Sequence, residues 1–300
     1  MFNLQVYDIK RNHLGEISVE ATSRVRSIKW KIAELTNLSV HRQALKATRN
    51  GIDLKDSLTT VQANLMENKK IFVKDLGPQV KMSTLFNYQH AGSLYIFACV
   101  ILKPDIIFHN WDSSTSLTLS TLVALICWSL HFIKKMWETA FLYKFFSKTI
   151  HIKYLFAYCP YLWILTFYVA YHISHPYYTP PPVLVQLVGF LVFLTGEVGN
   201  LSIHFLQRDF RRSRKNIREV PNPNENPFTK LYHVVSSPNY TYEFITWVGF
   251  AVMTSCLPAG IFAALRLWQM ANWALAKQRK LRRILPKYPK NRKAILPYIL

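Results

Sequence analysis

Cysteine is scarce, four among 300 residues, and Cys99, Cys127, Cys159 and Cys256 share no short spacing. All four lie in or at the end of apolar stretches, so neither a disulfide framework nor a zinc site is expected. Acidic residues are few as well, 16 against 37 Lys and Arg, which leaves a formal net charge of +21. That excess would suit nucleic acid, but the chain carries no nucleic-acid-binding module, and no such partner is expected. A Gly-x-Gly-x-x-Gly turn between a strand and a helix is also missing, so a Rossmann dinucleotide site is not expected. The N-terminus, "MFNLQVYDIKRNHLGE", has neither a basic stub nor an apolar core. A cleaved signal peptide is therefore not expected, and insertion into a membrane would rely on internal spans.

What the chain has in quantity is apolar surface: 50% hydrophobic residues and 14% aromatic. That composition points to a membrane. The basic residues follow the same logic, because "QRDFRRSRKNIRE" comes directly after the apolar stretch ending near Leu206, and "KQRKLRRILPKYPKNRK" after the one ending near Ala276. Cytosolic loops carry such charge under the positive-inside rule.

Residues 1–77 contain no run long enough to cross a bilayer and read as a soluble domain. "FNLQVYDI" alternates like a strand, Gly15 is expected at a turn, and "EISVEA" forms a second strand. "SRVRSIKWKIAELTN" places Val25, Ile28, Ile32 and Leu35 at helical spacing. Asn50-Gly51 marks a tight turn between "QALKAT" and "IDL", and "KKIFVKDL" adds a last strand. This order resembles a ubiquitin-like, β-grasp domain of the α+β class. Its end, "KDLGPQV", lacks a terminal Gly-Gly, so conjugation is not implied, and the plain reading is a cytosolic docking or stabilising module.

Residues 78–300 read as a multi-span α-helical membrane domain. About 20 residues are needed per helical span. "LFNYQHAGSLYIFACVILKPDIIF" is marginal because Lys103-Pro104 interrupts it. "SLTLSTLVALICWSLHF", "YLFAYCPYLWILTFYVAYHI" and "VLVQLVGFLVFLTGEVGNLSIHFL" are better candidates. The last run, Phe244 to Ala276, is too long for one span and has Pro258 near its centre, which predicts two short helices or a hairpin. The basic loops "KKMWETAFLYKFFSKTIHIK" and "RRSRK" and the tail are assigned to the cytosol, "HNWDSS" and "SHPYYTPPP" to the other side. An even number of crossings then keeps both termini cytosolic.

Three polar clusters interrupt these runs. Glu197 lies within a span, followed by Asn200, Ser202 and His204, with Gly196 and Gly199 allowing close helix approach. Hydrogen bonds tying helices together would explain it, as would a functional site. His131, Lys134, Lys135 and Glu138 mark a span end, where snorkelling lysines and an ion pair one turn apart are a sufficient reading. The third, "SSPNYTYEFITW", places Asn239 and Glu243 on one helix face leading into an apolar run, flanked by Tyr240 and Tyr242. Anchoring does not explain an amide and a carboxylate there. The tail "LPKYPKNRKAILPYIL" is apolar enough to pack back on the body, carrying Arg292 with it.

"GNLSIHFLQRDFR", "NPFTKLYHVVSSPNYTYEFITWVGFAVMTSCLP" and "YPKNRKAILPYIL" resemble the C-terminal half of the steroid 5α-reductase family, over about residues 150–300. The similarity is greatest to its very-long-chain trans-2-enoyl-CoA reductase branch, which also carries an N-terminal ubiquitin-like domain. This resemblance implies a multi-pass enzyme of the endoplasmic reticulum membrane that uses NADPH to saturate the 2,3 double bond of an enoyl-CoA. The reaction is the last step of a fatty-acid elongation cycle that feeds sphingolipids and other long-chain lipids. Acyl-CoA, the bilayer and other enzymes of the cycle are the implied partners, and no metal is required. Tyr240 is implied as the hydrogen-bond and proton donor, with Lys134 as its cationic partner. Asn239 and Glu243 are implied on the nicotinamide amide and ribose, and His204 is a further cofactor-binding candidate. Arg208, Arg211, Arg212 and Arg292 are cations suited to the diphosphate and 2′-phosphate. Three positions depart from the family's usual pattern: Gln278 and Leu281 stand for a His-x-x-Tyr pair, and Phe132 follows His131 where a Tyr is common. These departures leave open a catalytically weakened scaffold. A steroid or polyprenol enone reductase of the same fold, or a methyltransferase with a related C-terminal half, are further alternatives.

Overall fold

The computed structural model describes residues 1–102, 107–108, 118–143, 145, 149–213, 220–285, 288–289 and 291–300. Lys103-Pro104, the "HNWDSS" loop and parts of the basic loops assigned to the cytosol lie outside the described residues. Two compact units are present: residues 1–82 with 146–156, and residues 83–145 with 157–300.

In the first unit, β1 (Phe2–Asp8) and β2 (His13–Val19) pair antiparallel. Helix α1 (Val25–Thr36) follows, then β3 (Gln43–Lys46), a short α2 (Leu65–Asn68) and β4 (Lys70–Asp75). The sheet order is β2-β1-β4-β3, with β1 and β4 parallel at its centre and β3 antiparallel to β4. Val25, Ile28 and Ile32 from α1 fill a core with Leu4, Val6, Ile17, Leu45, Ile71 and Val73, as their helical and alternating spacings require. Leu35, expected on the same stripe, remains 39% exposed.

Gly15 is not at the turn. It lies inside β2 opposite Val6, where the register shifts between Val6 and Tyr7, with φ +135°. A Cβ there would come within 2.9 Å of a Leu35 methyl, which can shift, so it is the positive φ that calls for glycine. The chain reverses just before it, where Asn12 N donates to Asp8 Oδ1 at 2.8 Å and Arg11 adopts φ 76°. The Asn50-Gly51 turn is present, Gly51 N donating to Thr48 O at 2.9 Å. "IDL", however, is not a strand, although Leu54 N donates to Leu45 O at 2.8 Å. The unit ends with a two-stranded antiparallel pair, β5 (Gln79–Lys81) and β6 (Thr149–His151).

The second unit is helical: α3 (Met82–Ile101), α4 (Leu119–Phe141), α5 (Lys153–Ser174), α6 (Val183–Ser213), α7 (Pro238–Thr254) and α8 (Leu257–Ile284). Of these α4, α5 and α6 are long and apolar enough to cross a membrane. On α4 the two faces separate cleanly, with Leu122, Ile126, Leu130, Ile133, Trp137 and Phe141 exposed and Trp128, His131, Phe132, Lys135 and Glu138 buried. At 31 residues α6 is about 46 Å long, against ~30 Å of hydrocarbon core. The surplus leaves room for Arg208, Arg211 and Arg212 at its basic end beyond the apolar part.

The final apolar run is a hairpin, as its length and Pro258 predict, although α8 is 28 residues and not short. Ser255, at φ 45°, ends α7, and α8 begins two residues later with Pro258 in its first turn, where a missing N–H costs nothing. The core is aromatic. Trp128 stacks on Phe97 at 4.4 Å between centroids and meets Trp247, Phe250 and Phe262 at 5.2, 5.3 and 5.4 Å.

α6 and α7 touch through glycine. A Cβ on Gly189 would fall 2.3 Å from Met253 N, on Gly249 2.3 Å from Phe193 N, and on Gly196 2.4 Å from Thr246 N. These are backbone-to-backbone contacts, closer than any side chain allows.

Candidate active site

Burying a charge is tolerated when opposite charges and hydrogen bonds meet it. The buried face of α4 shows how. Lys135 Nζ lies 3.2 Å from Glu138 Oε2, 2.9 Å from Asn200 Oδ1 and 3.1 Å from Glu243 Oε2. Lys134 Nζ lies 2.7 Å from Glu197 Oε2 and 3.1 Å from the same Asn200 oxygen. His131 Nδ1 is 2.6 Å from Glu197 Oε1. From α8, Arg266 Nη2 donates to Glu243 Oε1 at 2.7 Å. Lys134, Lys135 and Arg266 thus balance Glu138, Glu197 and Glu243 without calling on either histidine.

Asn200 links this network to α7. Its Oδ1 accepts from both lysines, and its Nδ2 donates to Asn239 O at 2.8 Å. Tyr143, just past α4, donates to Glu138 Oε2 at 2.8 Å, and its hydroxyl is 3.3 Å from His204 Nε2. Burial holds the Tyr143 phenol well above its ordinary pKa, so it serves there as a donor.

The first turn of α7 is held from the other side by the tail, which does pack back on the body. Val235 and Lys293 form a parallel bridge, with Ser236 N donating to Lys293 O at 2.8 Å and Ser237 N to Ala294 O at 3.1 Å. Ser236 and Tyr288 share a hydroxyl–hydroxyl bond, and Thr241 donates to the Ile295 carbonyl. Gln278, where the resemblance anticipates a histidine, donates to Arg292 O at 2.7 Å and Ser236 Oγ at 3.2 Å. The amide therefore serves as a clasp between α8, the tail and the start of α7.

Each expected residue can now be located. Tyr240 packs against a small cluster containing Met270, Ala274, Ala294 and Ile295, 6.3 Å from the Trp273 ring centroid. Its hydroxyl has no hydrogen bond to any described residue. Lys134 pairs with Glu197 and makes no hydrogen bond to Tyr240; the lysine that reaches Glu243 is Lys135. Asn239 is buried, its carbonyl taken by Asn200 and its Oδ1 3.4 Å from Gln207 Nε2. Glu243 has a cation on each oxygen, and His204 is buried beside Tyr143 and Glu138.

The four arginines are spread along the basic end. Arg208 bonds Asp209 at 2.8 Å over the Phe205 ring, Arg211 donates to Leu142 O at 2.6 Å, and Arg212 is exposed. Arg292 is buried over the Tyr232 ring, its Nη1 3.4 Å from Pro221 O. Burial pushes the Tyr232 phenol up to about 12, and Gln207 donates to it at 2.8 Å. Tyr242 faces away from this network and is structural, its hydroxyl donating to Phe228 O at 2.9 Å beside Gly199.

Four charged members of the network have no site role in the sequence, Lys135, Glu138, Glu197 and Arg266. For Arg266 the signal was present: a lone arginine in "FAALRLWQM", an otherwise apolar stretch. Lys135 is 3% exposed in its side chain and Lys134 15%, a difference that adjacent letters do not reveal.

Among the described residues, five buried side-chain atoms of this unit have no hydrogen-bond partner: His90 Nδ1, Glu138 Oε1, Ser237 Oγ, Trp247 Nε1 and Arg266 Nε. Unpaired buried donors are costly. With the Tyr240 hydroxyl, which bonds no described residue, the Ser237 hydroxyl and Glu138 Oε1 supply donors and an acceptor of the kind a nicotinamide carboxamide takes up, and so fit that cofactor.

Comparison with known proteins agrees with this arrangement. Residues 131–300, which hold the charged network, match the family described as 3-oxo-5-alpha-steroid 4-dehydrogenase. A probable very-long-chain enoyl-CoA reductase of Caenorhabditis elegans is 37% identical, with 99% of each chain covered. A very-long-chain enoyl-CoA reductase of Dictyostelium discoideum is 32% identical over 97% of this chain and 96% of its own. A trans-2,3-enoyl-CoA reductase-like protein of Bos taurus is 34% identical over 86% of this chain and 72% of its own. With its buried charged network and tail clasp inside the matched region, the chain belongs to the 3-oxo-5-alpha-steroid 4-dehydrogenase family, that of the steroid 5α-reductases, in its enoyl-CoA reductase branch.

Proposed function

We propose that the chain reduces the 2,3 double bond of very-long-chain trans-2-enoyl-CoA with NADPH, as the last step of a fatty-acid elongation cycle. The observation that carries this reading is the Tyr240 hydroxyl: among the described residues it has no hydrogen-bond partner, on a helix turn held by the tail, one turn from the doubly paired Glu243. A donor so placed is available to a ligand. When bound, the nicotinamide supplies the hydride for carbon 3.

The chain's own residues do the rest. Tyr240 donates to the thioester oxygen as enolate charge develops and is the proton source for carbon 2. Lys134 acts on that charge from within the network, alongside Lys135. Through Asn200, Lys134 also fixes the carbonyl of Asn239. Asn239, Glu243 and His204 would hold the nicotinamide and ribose, and Arg208, Arg211, Arg212 and Arg292 the diphosphate and 2′-phosphate. A positive rim favours a phosphorylated cofactor and draws in the anionic head of coenzyme A.

The four-stranded order β2-β1-β4-β3 with α1 following the first hairpin supports the ubiquitin-like, β-grasp reading of the N-terminal unit. In this proposal it docks other enzymes of the cycle. The basic loops support an endoplasmic reticulum orientation with both termini cytosolic. The test is direct: purified chain in detergent, with a long trans-2-enoyl-CoA and NADPH, should lose absorbance at the nicotinamide band. An unchanged signal from the wild-type chain would sink the proposal.

A further inference from the structure

Arg266 lies in the apolar part of α8, where an unpaired guanidinium would be costly. Its surroundings show what it is spent on. Nη2 donates to Glu243 Oε1 at 2.7 Å, and Nη1 to Gln269 Oε1, one turn further along α8, at 2.6 Å. Two bonds to a planar fork fix the plane of the guanidinium, which one bond would not. From α4, Lys135 Nζ meets the other oxygen, Glu243 Oε2, at 3.1 Å. The carboxylate is therefore gripped at both oxygens from two helices, and its own rotation is stopped.

Each carboxylate oxygen accepts in two directions. One pairing contact on each oxygen leaves acceptor directions open, now at a fixed angle. Lys135 is also shared with Glu138 and Asn200, and so cannot set that angle alone. Arg266, bound to Glu243 and to its own helix, is the contact that can.

We infer that Arg266 is a positioning residue that orients the Glu243 carboxylate to accept the N–H of a carboxamide, and so sets affinity for the nicotinamide cofactor. The inference rests on the proposed reading in which Glu243 faces that cofactor. It acts through Glu243 alone, because Tyr240, three residues earlier, is held separately by the tail. The fork geometry is what matters: a lysine keeps the charge but cannot bond Glu243 and Gln269 in one plane.

The test uses the full-length chain in detergent, with Arg266→Gln and Arg266→Lys. Affinity for NADPH is read twice, as stabilisation against thermal unfolding and as KM. Both variants should weaken NADPH about 10- to 100-fold, the range spanned by a charged hydrogen bond, while KM for the enoyl-CoA stays within about twofold. Combined with Glu243→Gln, Arg266→Lys should add nothing further, since both changes remove one coupling. If Arg266→Gln does not fold, Arg266→Lys carries the comparison. A wild-type NADPH affinity in Arg266→Lys, or an equal rise in both KM values, overturns the inference while the reductase reading stands. NADPH that neither stabilises the wild-type chain nor is oxidised by it overturns both.

Discussion

Lys135 Nζ stands 3.1 Å from Glu243 Oε2, so a lysine of α4 and a glutamate of α7 meet by a direct ionic hydrogen bond in the interior of the helical unit. Its sequence neighbour Lys134 serves Glu197 of α6 instead. Both lysines share Asn200 of α6, but only Lys135 also reaches a carboxylate of α7. Lys135→Met removes a cation from two buried carboxylates and is expected to destabilise the chain by about 3 kcal/mol. Lys134→Met, at the more exposed position, should cost less. Thermal unfolding in detergent checks the order; a larger loss for Lys134→Met would contradict the division of roles.

Tyr240→Phe should slow enoyl-CoA reduction by ~100-fold or more, the contribution of a positioned proton donor. Because the hydroxyl bonds no described residue, its removal orphans nothing and the unfolding midpoint should not move. NADPH consumption and thermal unfolding are measured on the same preparation. A fall in midpoint matching the fall in rate would make the hydroxyl structural.

Gly196→Val places its branch where a Cβ already falls 2.4 Å from Thr246 N, so α6 and α7 must separate or distort. A loss of about 1–3 kcal/mol or more is expected from such overpacking. Gly260 in α8 is the control, since nothing lies within 4 Å of a Cβ built there. Gly260→Ala should be neutral or stabilising by roughly 0.5–1 kcal/mol through helix propensity. Equal losses in the two variants would show that the seam has no special tolerance to lose.

In the first unit the Arg42 guanidinium bonds Asp75, with Gly77 N–H as a second donor, and holds its carboxyl below the ordinary value of 3.8. A lowered folded pKa means that the carboxylate stabilises the fold above about pH 3.8 and loses that contribution as pH falls through the folded value. Protection of the β3 and β4 amides against hydrogen exchange, corrected for the intrinsic pH dependence of exchange, should fall below that pH in the full chain, and by less at high salt, where the exposed pair is screened. Asp75→Asn should flatten this acid response; an unchanged profile would place it elsewhere.

Much of this was legible in the letters. Periodicity gave α1 and the three long spans, and Pro258 marked the hairpin, because apolar spacing and proline act locally. Gly15 was misplaced because its reason is a positive φ at a bulge against β1. "IDL" has strand-like composition but makes too little of a ladder to be one. The polar clusters were visible as anomalies in apolar runs, yet their pairing was not. Which of two adjacent lysines faces inward depends on how α4 is rotated, and only packing sets that. Gln278 read as a loss relative to the family pattern; in the fold it is a clasp, because its amide reaches two partners that are far away in sequence.

The glycine seam also bears on how a long, flexible molecule gets in and out. Where two backbones touch, no side chain lies between them to swing aside, and a gap opens only if whole helices part. α6 and α7 are therefore a fixed jaw. The tail is the opposite case: held at its start by Gln278, Ser236 and Tyr288, it is fastened by groups that can let go one hydrogen bond at a time, while the residues on α6 and α7 stay in register.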